Sequence, residues 1–389
     1  MATSSTPRLS RQARNAESSA IRDLLRHASR PGVLSLAGGL PAEARFPVAE
    51  MADAAAAVLR RGEGLQYGLT EGDADLREWI ADRHTADGSL TDPGDIVVTT
   101  GSQQALDLIA RVLVDPGDTV VVGDPCYVGA RQALAATQPR FVGIRVDHDG
   151  LVVDDLAEQL EGGIRPKLVY VVANFDNPSG AVLSLERRDR LVGLAERYGF
   201  VIVEDDPYGA LRYDDEPVPE VGPGSDSVVR LRTISKTLVP GLRVGWMVGP
   251  PWLVEAVTIA KQAVDLHTST VAQAIVRELV TRPGWFDAHI DTLRPWYRVQ
   301  RDSLVSALDH TLPEAEFSRP VGGMFLWLRI PGIDAASVLP AALDEGVAFV
   351  PGAAFAVHRD LRDHLRLSFA TVDSDQFAEA VRRLAHVVH

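Results

Sequence analysis

Between residues 95 and 235, short apolar runs keep alternating with stretches of helical periodicity. "DIVVTTG" (95–101) gives way to "SQQALDLIARVLV" (102–114), whose Leu106, Ile109, Ala110 and Leu113 share one helical face. "DTVVVGDPCY" (118–127) leads into another helical stretch. "KLVYVVANF" (167–175) is a continuous apolar run, the signature of a strand buried on both faces. "LERRDRLVGLAERYG" (185–199) is amphipathic through Leu191, Leu194, Ala195 and Tyr198, with Gly199 as its stop. "FVIVEDDPYG" (200–209) and "SVVRLRTIS" (227–235) read as two further buried strands. Strands alternating with helices in this way predict an α/β fold: a large domain with a mostly parallel sheet covered by helices on both sides.

The remainder has a different pattern. From about residue 271 to 313 it is largely helical, interrupted at Pro283-Gly284 and at Pro295. "GGMFLWLRI" (322–330), a helical "DAASVLPAALDEG" (334–346), "VAFVPGAAF" (347–355) and "HLRLSFA" (364–370) follow, and a closing helix carries Phe377, Val381, Leu384 and Val388. This is the pattern of a smaller α+β domain, with the long helical stretch bridging the two.

The bulk properties exclude several classes of function. With 389 residues, 46% of them hydrophobic, the chain can fill a real core. Its formal net charge of −14 argues against nucleic acid or an anionic membrane as partner. The single cysteine, Cys126, excludes an intramolecular disulfide framework and fits a reducing compartment. No run approaches the roughly 18 apolar residues of a membrane span. The opening "MATSSTPRLSRQARNAE" lacks the apolar segment of a secretory signal, so residues 1–16 read as a flexible tail on a cytoplasmic protein. No pattern of metal ligands is expected.

In open α/β sheets, ligands collect at the carboxyl ends of the strands. Gly101-Ser102-Gln103-Gln104 follows one strand and opens a helix, where backbone amides and a hydroxyl can hold a phosphate, although serine at a helix start also serves as a plain cap. Tyr127, Asn177, Asp205 with Tyr208, and Lys236 end successive strands. A lysine amine at a partly desolvated strand end loses proton affinity and becomes a nucleophile toward aldehydes. An aldehyde cofactor with a phosphate needs an anion cradle, which "SQQ" and Arg243 can supply. Were that cofactor pyridoxal 5′-phosphate, its ring nitrogen would need a carboxylate partner, and Asp205 is placed for it.

These pieces resemble a known family. "NPSG" (177–180), "DDPY" (205–208), "SKTLVPGLRVGW" (235–246) and "LRLSF" (365–369) stand in the order and comparable spacing of the class I/II, fold-type I pyridoxal-phosphate aminotransferases, and the likeness covers nearly the whole chain. It implies that Lys236 forms the internal aldimine and later shuttles a proton. Asp205 would pair with the pyridinium nitrogen, and Tyr208 and Asn177 would hydrogen-bond the phenolic oxygen. Ser102, Gln103, Ser235 and Arg243 would hold the phosphate, with Thr233 sharing or replacing the part of Ser235. Tyr127 would stack on the ring and Arg366 would clamp the substrate α-carboxylate. Tyr67, in "LQYG", resembles a tyrosine that reaches the phosphate of the neighbouring subunit, which implies a homodimer.

"LAGGLP" followed by "FP", within residues 19–47, resembles the 2-aminoadipate and kynurenine aminotransferase branch. There an N-terminal segment, here 17–47, lies over the site and packs with the small domain. A glycine matching Gly39 lies near the substrate, and an arginine matching Arg22 can meet a side-chain carboxylate. The large domain is then expected over 48–285 and the small domain over 286–389. Transamination between an L-amino acid and a 2-oxo acid, with glutamate and 2-oxoglutarate as one pair, is the expected reaction. The same lysine and fold also serve lyases, cyclases, decarboxylases and racemases, and a similar domain occurs in some winged-helix regulators. The short stretch ahead of "LAGGLP" and the acidic balance speak against the regulator.

Overall fold

The computed structural model describes residues 30–214 and 217–389. Strand β1 (Leu34–Ser35) comes first, followed by helices α1 (Val48–Arg61) and α2 (Ala74–Ala86). Asp73 caps α2 by accepting the Leu76 N–H at 2.9 Å, and Gly62 ends α1 in the left-handed conformation open to glycine. The large domain then runs β2 (Ile96–Thr99), α3 (Ser102–Leu113), β3 (Thr119–Asp124), α4 (Val128–Ala135), β4 (Arg140–Asp147), β5 (Gly150–Leu151), α5 (Val153–Glu161), β6 (Pro166–Val172), α6 (Leu185–Tyr198), β7 (Val201–Asp205), β8 (Val228–Thr233) and β9 (Gly245–Val248). These strands form one sheet in the order β2-β9-β8-β7-β6-β3-β4-β5. The inner ladders are parallel; β9 runs against both its neighbours and β5 against β4.

Alternation along the strands feeds two cores. Val120, Val122, Leu168, Tyr170 and Val172 join α3 on one face, while Val121, Val169, Val171 and Ile202 join Leu156 and Leu160 of α5 and Leu191 of α6 on the other. A sheet buried on both faces needs nearly unbroken apolar strands, which is the pattern "KLVYVV" displays. The α/β reading of the sequence holds, with a large mixed sheet flanked by helices and a separate smaller sheet.

Helices α7 (Pro251–Val264), α8 (Thr270–Val280) and α9 (Trp285–Thr311) lead to a second sheet. Pro295 does not interrupt α9, contrary to the sequence reading. Proline forfeits one backbone N–H there, but Leu293, Tyr297, Gln300, Arg301 and Leu304 are buried along the same helix, and that packing carries the helix through. The second sheet is built from β10 (Glu316–Phe317), β11 (Phe325–Arg329), β13 (Val350–Pro351) and β14 (His364–Ser368), all antiparallel. Between them lie α10 (Ala335–Asp344) and β12 (Val347–Ala348), and α11 (Phe377–Val388) closes the chain on α9.

Several hydrogen bonds tie the small domain to the large one, among them the Cys126 N–H to the Phe355 carbonyl at 2.8 Å. The Asp124 carboxylate, at the end of β3, accepts backbone N–H groups of Val357, His358 and Arg359 at 2.8–3.0 Å. β1 pairs in parallel with β12, so the segment that follows it, Leu36 to Gly39, lies on the small domain.

Candidate active site

The strands β2, β8, β7, β6 and β3 point the same way, so the residues after their carboxyl ends gather along one edge of the sheet. There a cavity of about 350 Å³ is lined by Gly39, Ser102, Gln103, Tyr127, Asn177, Asp205, Tyr208, Thr233, Ser235, Lys236, Arg243 and Arg366, together with the apolar Leu40, Leu106, Val172 and Pro207. Residues from both ends of the chain meet in this space.

Lys236 Nζ donates to the Gly39 carbonyl oxygen at 2.8 Å. Burial, with Arg366 and Arg243 nearby, pulls its amine down to about 8. Asp205 is buried. Its Oδ2 accepts the Tyr170 hydroxyl at 2.8 Å, while Oδ1 has no hydrogen-bond partner. Burial raises this carboxyl to about 7. The adjacent Asp206 does something different: it accepts from Asn174 Nδ2 at 2.7 Å and from the Gly209 N–H at 2.6 Å, capping the turn after β7.

Arg366, on β14, is buried with its guanidinium 4.3 Å from the Phe325 ring centroid. Nη1 donates to Asn177 Oδ1 at 2.9 Å and Nη2 to the Ala37 carbonyl at 2.6 Å; Nε has no partner. Removed from water and without a carboxylate beside it, the guanidinium falls to about 10. Tyr208 is buried edge-on to Phe325, and burial pushes its phenol up.

At the other end of the cavity α3 begins. Gly101, not Ser102, occupies the cap position, at φ 74°, and no side chain caps the helix. Ser102 is therefore the first helical residue; the Gln104 N–H turns back to the Gly101 carbonyl at 3.1 Å, which leaves the Ser102 and Gln103 amides for an anion. A Cβ on Gly101 would meet the Arg243 guanidinium, so glycine, already at positive φ, lets that group close over the turn. Arg243 itself sits at φ 54°, outside the usual range for a side-chain-bearing residue, at the end of the Pro240–Leu242 turn. The Thr233 hydroxyl lies 2.9 Å from Ser235 Oγ, completing the polar wall.

Residues 31–384 match the family described as aminotransferase class I and II. The chain belongs to this family. The aminotransferase is 41% identical to an aromatic-amino-acid aminotransferase of Thermococcus litoralis, over 97% of this chain and 93% of the relative. It is 40% identical to a 2-aminoadipate transaminase of Thermus thermophilus, over 96% of this chain and 94% of the relative. Among solved structures, it matches an α-aminoadipate aminotransferase of Thermus thermophilus, complexed with N-(5′-phosphopyridoxyl)-L-leucine, with a TM-score of 0.91 at 38% identity, covering 98% of this chain and 97% of that one. These relatives are transaminases, which disfavours the lyase, cyclase and racemase alternatives.

Pyridoxal 5′-phosphate is the cofactor of this aminotransferase, and the residues present fit it. Asp205 Oδ1 is a buried acceptor lacking a donor, as a ring N–H requires; Lys236 offers an amine of lowered proton affinity; and the uncapped start of α3 with Arg243 suits a phosphate.

The site brings together the residues to which the resemblance assigns a role, apart from Tyr67 and Arg22; Gln104 of "SQQ" turns away from the cavity to Asp265 and Lys261. Tyr67 stands away from this chain's own cavity, 79% exposed and edge-on to His267 at 5.7 Å. Arg22 lies outside the described residues. The sequence reading missed Tyr170, whose hydroxyl orients Asp205; a lone phenol within "LVYVV" is a signal, since a buried hydroxyl seeks a partner. It also missed Arg188, which is fully buried and holds the carbonyls of Leu183, Pro219 and Ala173 at 2.8 Å, pinning the strand end that leads to Asn177.

Proposed function

We propose that this aminotransferase exchanges an amino group between an L-amino acid and a 2-oxo acid, with glutamate and 2-oxoglutarate as one pair, working as a cytoplasmic homodimer. The observation that carries the reading is the meeting of Lys236, the half-satisfied Asp205 carboxylate and the buried Arg366 guanidinium in one cavity. When bound, pyridoxal 5′-phosphate supplies the electron sink that stabilises negative charge at the substrate Cα.

The chain's own residues do the rest. Asp205 Oδ1 accepts the ring N–H and keeps that proton in place. Tyr208 and Asn177 hydrogen-bond the phenolic oxygen, and Tyr127 packs on the ring. Ser102, Gln103, Thr233, Ser235 and Arg243 hold the phosphate. Arg366 turns a bidentate fork to the substrate carboxylate. Lys236 Nζ moves the proton on and off Cα, and its amine at about 8 suits both tasks near neutral pH.

Gly39 and the apolar Leu40 and Leu106 also line the cavity, which supports apolar and aromatic side chains as substrates. The names of the relatives, aromatic and 2-aminoadipate transaminases, support a site of more than one substrate, and Arg22 is the residue we assign to acidic side chains. The test is the visible absorption spectrum of the purified protein before and after single amino acids are added. Conversion of the bound cofactor by a donor, with release of the matching 2-oxo acid, is expected. A cofactor band that no amino acid converts would overturn the reaction, and Arg22→Ala losing leucine and glutamate activity equally would overturn the role of Arg22.

A further inference from the structure

Behind the turn that opens α3 sits a lysine the chemistry above does not use. Lys261, on α7, is 0% exposed. Its Nζ donates to Asp265 Oδ1 at 2.7 Å and Oδ2 at 2.9 Å, to Gln104 Oε1 at 3.1 Å and to Thr268 Oγ1 at 3.1 Å. Burying an ammonium costs far more than burying an apolar side chain of the same volume, so its presence calls for a reason beyond filling space.

The partners supply one. Gln104 Oε1 also accepts the Thr100 backbone N–H at 2.7 Å, and its Nε2 donates to Asp265 Oδ2 at 2.6 Å. The same Asp265 oxygen accepts the Thr100 hydroxyl at 3.2 Å. The amide orientation of Gln104 is thereby determined: its oxygen must face two donors and its nitrogen a carboxylate. Burial pushes the Asp265 carboxyl up, but hydrogen bonds from Lys261, Gln104 and Thr100 outweigh that and hold it below its usual range. On the opposite side Arg243 Nη2 reaches the Thr100 carbonyl at 3.4 Å. The Thr100–Gly101 turn is thus clasped from both sides, immediately before the open amides of α3.

We infer that Lys261 is a positioning residue for phosphate capture: through Gln104 and Asp265 it fixes the Thr100–Gly101–Ser102 turn so that the α3 amides face the anion. A preorganised cradle avoids the entropy of ordering a loop at each binding event. The cluster therefore acts on the phosphate end of the cofactor and leaves the ring end alone. This inference rests on the assignment of Ser102 and Arg243 to the phosphate.

The test compares two cofactor forms on the full-length enzyme. Holoenzyme carrying pyridoxal 5′-phosphate, and enzyme reconstituted with pyridoxal lacking the phosphate, are each followed for loss of the visible band under a carbonyl scavenger. Lys261→Met and Gln104→Leu are expected to release pyridoxal phosphate at least tenfold faster than wild type, with pyridoxal release unchanged. Equal acceleration for both forms, or none, would reduce the cluster to ordinary core structure and overturn the inference. Gln104→Leu removes the Thr100 N–H acceptor directly and so reads the clasp; if Lys261→Met does not fold, Lys261→Gln, which removes the charge but keeps an amide donor, takes its place in deciding the role of Lys261. Arg243→Ala is the control for the underlying assignment. If it too fails to separate the two forms, the phosphate cradle is wrong; if it separates them and the other two do not, only the role of Lys261 falls.

Discussion

Lys236 Nζ and the Gly39 carbonyl oxygen are 2.8 Å apart, a hydrogen bond between the large-domain lysine and a segment held by the small domain. That segment is fixed in its turn: the Leu36 N–H donates to Ala348 O at 2.8 Å, and Leu36 O accepts the Ser368 N–H at 2.7 Å. Arg366 holds the Ala37 carbonyl from the same side. Lys236, the lysine we propose as reactive, is therefore held against both sheets, and the segment that contributes Gly39 also carries the Ala37 carbonyl that Arg366 holds.

The lowered proton affinity of Lys236 makes cofactor loading pH-dependent. Only the neutral amine attacks an aldehyde, and the amine titrates at about 8. The rate at which the apoprotein takes up pyridoxal phosphate, followed by the visible band, should rise roughly tenfold per unit between pH 6 and 7 and flatten above about 8. An unperturbed lysine would keep the rate climbing to beyond pH 10. Lys236→Ala should give no turnover while retaining noncovalent cofactor.

Asp205 should cost the apoprotein stability as pH rises. Its carboxyl sits at about 7 in the fold against about 3.9 in an open chain, so the fold disfavours the ionised form. The contribution is whole below pH ~4 and is lost progressively as pH climbs through 7. Asp205→Asn, which cannot ionise, should match wild-type apoprotein at pH 4 and melt above it at pH 8. Adding pyridoxal phosphate should reverse the order, because the ring cation then pairs with the wild-type carboxylate. Removing one partner of a buried charge pair costs roughly 3–5 kcal/mol, so cofactor retention and turnover should both fall steeply in the variant. Thermal melts of the two forms at both pH values check this.

The strand ends were legible because burial on both faces forces apolar runs, and any polar residue just past such a run stands out: Lys236, Asp205 and Asn177 all do. Pro295 misled because proline's local cost is small beside the packing of Leu293, Tyr297 and Leu304 on one long helix. Tyr170 and Lys261 were hidden for another reason. Their roles depend on partners from distant strands and helices, Asp205 for one and Gln104 with Asp265 for the other, and no local periodicity encodes those meetings.

Arg366, which we assign to the substrate carboxylate, has a buried, unpartnered Nε and acceptors on its other two nitrogens. Arg366→Lys keeps a charge but loses the planar fork. A hydrogen bond to a charged group contributes roughly 1.5–3 kcal/mol, so KM for the amino donor should rise about 10–100-fold. The absorption of the bound cofactor should shift as well, because Arg366 also donates to Asn177 Oδ1 and lowers the Lys236 amine. A KM within twofold of wild type would remove Arg366 from substrate binding.

Tyr67 tests whether the site is shared between subunits. Leu65, Tyr67 and Leu69 are 66%, 79% and 63% exposed, and Ile259, Val264 and Leu266 are exposed too. In the proposed homodimer a second copy would cover Leu65 and Leu69 and bring the Tyr67 hydroxyl with it. Tyr67→Phe should leave the proposed dimer intact in sedimentation while pyridoxal phosphate is released roughly tenfold faster, the loss expected for one hydrogen bond to an anion. Leu65→Asp should break the dimer and weaken cofactor retention with it. If Leu65→Asp yields a monomer that holds the cofactor as wild type does, each subunit is complete alone and Tyr67 belongs to the surface.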